Sequence, residues 1–143
     1  VAFANTLSGA VMCLTLLTSE HGLEHALSAY HPNLPHGAGL IMISKAYFSY
    51  FVRNHGCDDR FIELAHLLGK DDADKPEDFI TALAELQEVC GVADLKMSDY
   101  GIMPSEFETL MRNTREVMGI MFTSDRVQMS DQDIINIFAE SYK

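Results

Sequence analysis

No stretch of this chain alternates apolar and polar residues with the period of two that a half-buried strand requires. Apolar residues instead recur three and four positions apart through most of its length. That periodicity confines the fold to the all-α class, as a helical bundle-like domain. With 143 residues the chain can bury one core without disulfides or a structural metal, so residues 1–143 read as a single domain. Its composition, 48% hydrophobic and 22% charged, is that of a folded protein rather than a disordered one. No internal repeat or flexible linker divides it.

From residue 2 to residue 29 the sequence is small and apolar, and almost free of charge until Glu20, which predicts one long helix buried on most sides. The chain opens inside this pattern without an N-cap signal, as expected of a domain truncated at its N-terminus. Tyr30-His31-Pro32-Asn33-Leu34-Pro35 cannot continue helical hydrogen bonding. A second apolar helix is expected over 36–52, ended by Arg53-Asn54-His55-Gly56. A shorter one over 60–68 spaces Phe61, Leu64, Ala65 and Leu68 for burial, with Gly69 at its end. Residues 70–75 form an acidic surface loop, and Asp71-Asp72-Ala73-Asp74 lacks the spaced oxygens and terminal Glu of a calcium loop. Pro76 suits the first turn of a helix carrying Phe79, Leu83, Leu86 and Cys90 on one face and stopping at Gly91. After a turn at Asp99-Tyr100-Gly101, a helix over 105–118 spaces Phe107, Leu110, Met111, Thr114 and Met118 for burial. Ser130-x-x-Asp133 has the form of a capping box, opening a last helix that turns Ile134, Ile135, Phe138 and Tyr142 to the core.

A net charge of -11 with ten Lys and Arg, and no basic run, argues against nucleic acid and anionic membrane as partners. Cys13, Cys57 and Cys90 are far apart and odd in number, so they read as buried free thiols in a reducing, cytoplasmic compartment. The N-terminus has no basic region and no A-x-A cleavage signal, and runs such as 11–14 and 40–43 fall short of the ~18 apolar residues a membrane span needs.

The chemistry concentrates in Glu20-His21-Gly22-Leu23-Glu24-His25, where His21 and His25 lie four residues apart on one helix face. An isolated H-x-x-x-H is commonly just two hydrogen-bonded histidines. Here the preceding helix is nearly uncharged, so the imidazoles sit in a protected place, and Pro35-His36-Gly37 can present His36 at the start of the next helix, facing back toward His21. Two imidazoles from adjacent elements make half of a first-row metal site and suit Fe(II) and Zn(II) about equally. His21 to His25 also matches H-x-x-E-H, the inverted zinc-protease pattern, which requires strands to hold a peptide. A free-standing helical binding module with a structural His cluster is the other alternative. His55 and His66 read as solvated or capping residues, and the eight Met mostly as core filler.

Residues 19–29, Ser-Glu-His-Gly-Leu-Glu-His-Ala-Leu-Ser-Ala, followed by Pro35-His36-Gly37, resemble the signature of the iron-containing (group III) alcohol dehydrogenases. Asp94 to Ile102 and the ending Ser130 to Tyr142 are similar to that family's C-terminal region, so the resemblance spans nearly the whole chain. It implies a C-terminal helical metal-binding domain, with an N-terminal domain that binds NAD or NADP absent from these residues. It implies an alcohol or aldehyde substrate and a metal held by one Asp and three His. Matched by motif, His21 and His36 are the last two ligands, and His25 lies beside nicotinamide and substrate as a proton relay. The remaining Asp and His belong to a helix expected before Val1. Met12 and Met118 fall at positions that line the substrate pocket. The fifteen-residue step from His21 to His36 is one longer than the family's usual spacing, which makes His31 the fallback ligand. The nine glycines include no phosphate loop after a strand, since Gly37-Ala38-Gly39 opens a helix without the third Gly. Family members often form homodimers, and the acidic composition argues neither way.

Overall fold

The computed structural model describes residues 1–143 and contains no strand. Seven α-helices follow in order: α1 (Ala2–Met12), α2 (Ser19–Tyr30), α3 (His36–Arg53), α4 (Asp58–Leu67), α5 (Glu77–Val89), α6 (Phe107–Met118) and α7 (Asp131–Ser141). Short 3-10 turns at Met97–Tyr100, Pro104–Glu106 and Gly119–Ser124 join the later ones. The all-helical reading of the periodicity therefore holds.

At the centre α2 packs between α3 and α6, α3 also meets α5 and α7, and α4 pairs with α5. The core is one contiguous cluster that includes Leu23, Leu27, Ile43, Tyr47, Leu110, Ile134 and Phe138, all within 1% of complete burial. Burial of each such large side chain contributes roughly 1.5–3 kcal/mol. Under α4 and α5 the rings interlock: Phe61 and Phe79 stack at 5.3 Å, and Phe48 meets Phe79 edge-on at 5.4 Å. On the other side Phe107 stacks on Phe138 at 5.8 Å, which fastens α6 to α7.

The single helix expected over 2–29 is two. Helix α1 ends at Met12, capped by Cys13, and Thr18 is extended (φ -77, ψ 169) before α2 begins at Ser19. Asp125 supplies the physical reason, since its Oδ1 accepts the Ser19 N–H at 3.1 Å and so caps α2 from more than a hundred residues away. The expected burial of the first segment also fails. No residue of α1 is buried, and Phe3, Leu7, Val11 and Met12 are each about half exposed or more.

Smaller corrections have local causes. The end of α3 does need a left-handed residue, but His55 takes it (φ 51) and Gly56 does not. Gly56 serves a close approach instead, because a Cβ there would come within 2.9 Å of Val127. On α5 the buried positions are Phe79, Ala82 and Gln87, whereas Leu86 and Cys90 are exposed. Gln87 rotates the face by donating to Ile41 O (3.2 Å) and Ser44 Oγ (2.9 Å) on α3. On α4, Phe61 and Ala65 are buried while Leu64 and Leu68 remain 39% exposed. The thiols are free but not buried as expected, with Cys13 and Cys90 exposed and Cys57 half-buried. Cys13 lies beside the unburied α1, and Cys90 lies just past the exposed end of α5. Ser130 and Asp133 form the expected capping box, each side chain accepting the other's backbone N–H at 3.2 and 2.8 Å. No helix is long and apolar enough to cross a membrane.

Candidate metal centre

The site is built where α2 and α3 meet. Helical spacing sets His21 and His25 one turn apart on α2, and extended Pro35 (φ -64, ψ 133) starts α3 so that His36 is its first residue. The ring centres of His21 and His36 are 5.2 Å apart, those of His25 and His36 5.4 Å, and those of His21 and His25 6.4 Å. One ring nitrogen from each falls within 4.8 Å of the others. Imidazole nitrogens that share one ion at ~2.0–2.1 Å stand a little over 3 Å apart, so small side-chain rotations bring this set to bonding distance. The donor set fits a borderline divalent metal.

His21 and His25 are half-buried and His36 is about half exposed. Burial, and then the neighbouring His36 and His25, hold His21 below the ordinary imidazole range, with Glu24 opposing. A depressed value keeps a ring nitrogen free as a ligand near neutral pH. Glu24 is wholly buried, and its carboxylate accepts from His36 Nδ1 and from Ser28 Oγ. So engaged, Glu24 is not placed to activate a water, which, with the lack of strands, removes the structural basis of the inverted-protease reading.

A cleft between α2 and α6 opens onto this cluster. His25, Ser28 and His36 form one side of it, and Asn113, Val117 and Met118 the other. Met118 lines this cleft, whereas Met12 lies on exposed α1 and does not. His31 is not brought into the cluster; its Nε2 lies 3.3 Å from Glu106 Oε1, off the line of a hydrogen bond. His55 pairs with Asp58 (2.8 Å), and His66 with Ala73 O (2.9 Å), in line with their capping reading.

Two acids have a place in the structure that the sequence alone does not assign them. Glu20 adjoins a groove with Leu40, Ile41, Leu83 and Leu86, and burial pushes its carboxyl up to about 7. Its signal was the first charge after nineteen uncharged residues. Asp125 offered none, because its partners Ser19 and Tyr47 are remote in the chain.

A helical domain with a three-histidine cluster at a helix junction defines the class, and the match to known families is specific. Residues 1–142 match the model of the Fe-containing alcohol dehydrogenase family, C-terminal, and the chain belongs to that family. Among solved structures it is similar to an alcohol dehydrogenase from Oenococcus oeni, at 24% identity and a TM-score of 0.80 over 95% of this chain and 35% of that one. An archaeal halo-thermophilic alcohol dehydrogenase from a Red Sea brine pool, bound to NZQ, matches at 22% identity and a TM-score of 0.79, over 87% of this chain and 32% of that one. A 1,3-propanediol oxidoreductase matches at 19% identity and a TM-score of 0.73, over 88% and 33%. The chain thus spans about a third of the length of these structures, and the likeness is one of fold. Comparison with curated protein sequences found no match.

Proposed function

We propose that this chain is the metal-holding helical part of an NAD(P)-dependent alcohol dehydrogenase that interconverts alcohols with aldehydes or ketones. The observation that carries the reading is the convergence of His21, His25 and His36, two of which, His25 and His36, line the α2–α6 cleft. His21 and His36 would hold the metal, Fe(II) or alternatively Zn(II). When bound, the metal would supply Lewis acidity toward an alcohol or carbonyl oxygen, and a nicotinamide would serve as hydride donor or acceptor for the substrate carbon. His25, half-buried beside the cleft, takes the hydroxyl proton at a ring nitrogen and passes it outward. Val117 and Met118 offer the substrate an apolar wall. The nucleotide is bound mainly by a domain outside residues 1–143, a reading supported by the one-third coverage of the similar structures. Three free thiols suit a cytoplasmic setting.

Metal retention in the intact protein separates the roles. His21→Ala and His36→Ala should each lose stoichiometric metal after dialysis, and either variant keeping it would sink the ligand assignment. His25→Ala should keep its metal and turn over roughly 10²-fold more slowly. If His25→Ala loses the metal instead, His25 is a ligand and the roles are exchanged.

A further inference from the structure

A carboxylate with no exposed surface needs a reason to be where it is, because removal from water costs heavily unless its oxygens are hydrogen-bonded. Glu24 has 0% exposure. Ser28, one turn further along α2, donates to its Oε1, and His36 Nδ1 meets its Oε2. The backbone of α3 is shaped to receive it. A Cβ on Gly39 would come within 2.7 Å of both Cγ and Oε1 of Glu24, so only glycine leaves room for the carboxylate at this helix crossing.

We propose that Glu24 is a positioning residue for the metal centre: its buried carboxylate accepts the Nδ1–H of His36, fixes that tautomer, and turns Nε2 toward the ion. The inference rests on the reading of His36 as a ligand. With Nδ1 protonated and tied to Glu24, Nε2 is the only nitrogen of His36 left with a free lone pair. The bond also fixes the plane of a ring that is otherwise about half exposed and free to rotate. A carboxylate behind a ligand imidazole raises its basicity as well as orienting it. Both Glu24 oxygens have partners already, so it acts through His36 and not as a ligand of its own. Glu24 and Gly39 therefore form one unit, the acid from α2 and the space for it from α3.

The test uses the intact protein with Zn(II) as probe, read by competition with a chromophoric chelator, and 15N-histidine NMR of the metal-free protein to read the His36 tautomer. Glu24→Ala should weaken Zn(II) binding about 10–100-fold and leave His36 a mixture of tautomers. Glu24→Gln keeps an acceptor oxygen, so it should hold the Nδ1–H form and recover most of the affinity. Gly39→Ala, made from the other helix, should displace the carboxylate and weaken binding in the same direction, which covers the case in which Glu24→Ala fails to fold. Zn(II) affinity unchanged in Glu24→Ala, or an unaltered His36 tautomer in that variant, overturns the proposal. Should wild-type protein bind no Zn(II), the metal-centre reading fails, and the tautomer comparison alone decides whether Glu24 orients His36.

Discussion

Asp125 shows how much one side chain can organise. Its Oδ1 accepts from Ser19 N–H and from Tyr47 Oη at 3.1 and 3.2 Å, which joins the start of α2 to the middle of α3, while Oδ2 has no partner. Burial raises its carboxyl above the usual range, and the hydrogen bonds from Ser19 and Tyr47, with Arg115 nearby, only partly offset that. The folded state therefore binds the proton more tightly than the unfolded chain does. Stability should fall as pH rises from the unfolded value through the folded one, then level off. Asp125→Asn keeps the acceptor and removes the titration, so urea melts between pH 4 and 7 should show a smaller decline for it than for wild type. Asp125→Ala also loses the cap and should cost about 1–2 kcal/mol at the acid end of that range, a cost that shrinks as pH rises and the wild-type carboxyl ionises. None of this was legible locally. The capping box at Ser130 was, because its two partners are three residues apart.

At the scale of the element, α2 is held by what lies on either side of it. Gly22 faces α6, where an added Cβ would stand 3.2 Å from both Met118 Cβ and Thr114 Oγ1. A larger side chain has nowhere to go unless the helices part. Gly22→Leu should cost about 1–3 kcal/mol or more in urea denaturation, and it should also disturb the cleft, whose walls are these two helices. Helix α1 is the opposite case. It has eleven residues, none of them buried, and an isolated helix of that length is marginal in water. Amide exchange in the 143-residue chain should therefore be fast throughout α1 and slow in the buried turns of α2 and α3. The thiols offer a parallel readout, with Cys13 and Cys90 reacting with a thiol reagent sooner than half-buried Cys57.

For the molecule as a whole, one core supports both the fold and the site. Leu110 is fully buried on α6, in the same cluster as Leu23 and Leu27 of α2, whose opposite residues form the histidine cluster. Leu110→Ala should cost about 2–5 kcal/mol by the lost burial and the cavity left behind, measured by equilibrium urea unfolding. Around this core the surface is acidic overall, with a net charge of -11. Several of its ion pairs, such as Arg53 with Glu140 and Arg60 with Glu63, are exposed and add little to stability.

What the sequence determined by itself was everything carried by short-range spacing. Helical periodicity excluded strands, the prolines at 32 and 35 placed the turn before α3, the four-residue step put His21 and His25 on one face, and Ser130 with Asp133 announced the last helix. Those features follow from backbone geometry within a few residues, which any folded context preserves. Only the tertiary structure decided that α2 starts at Ser19, that His36 and not His31 joins the cluster, that α5 turns Gln87 inward, and that Glu24 is buried behind His36 over Gly39. Each of these depends on hydrogen bonds or steric room supplied by residues distant in sequence, and local periodicity carries no record of which distant partner will arrive.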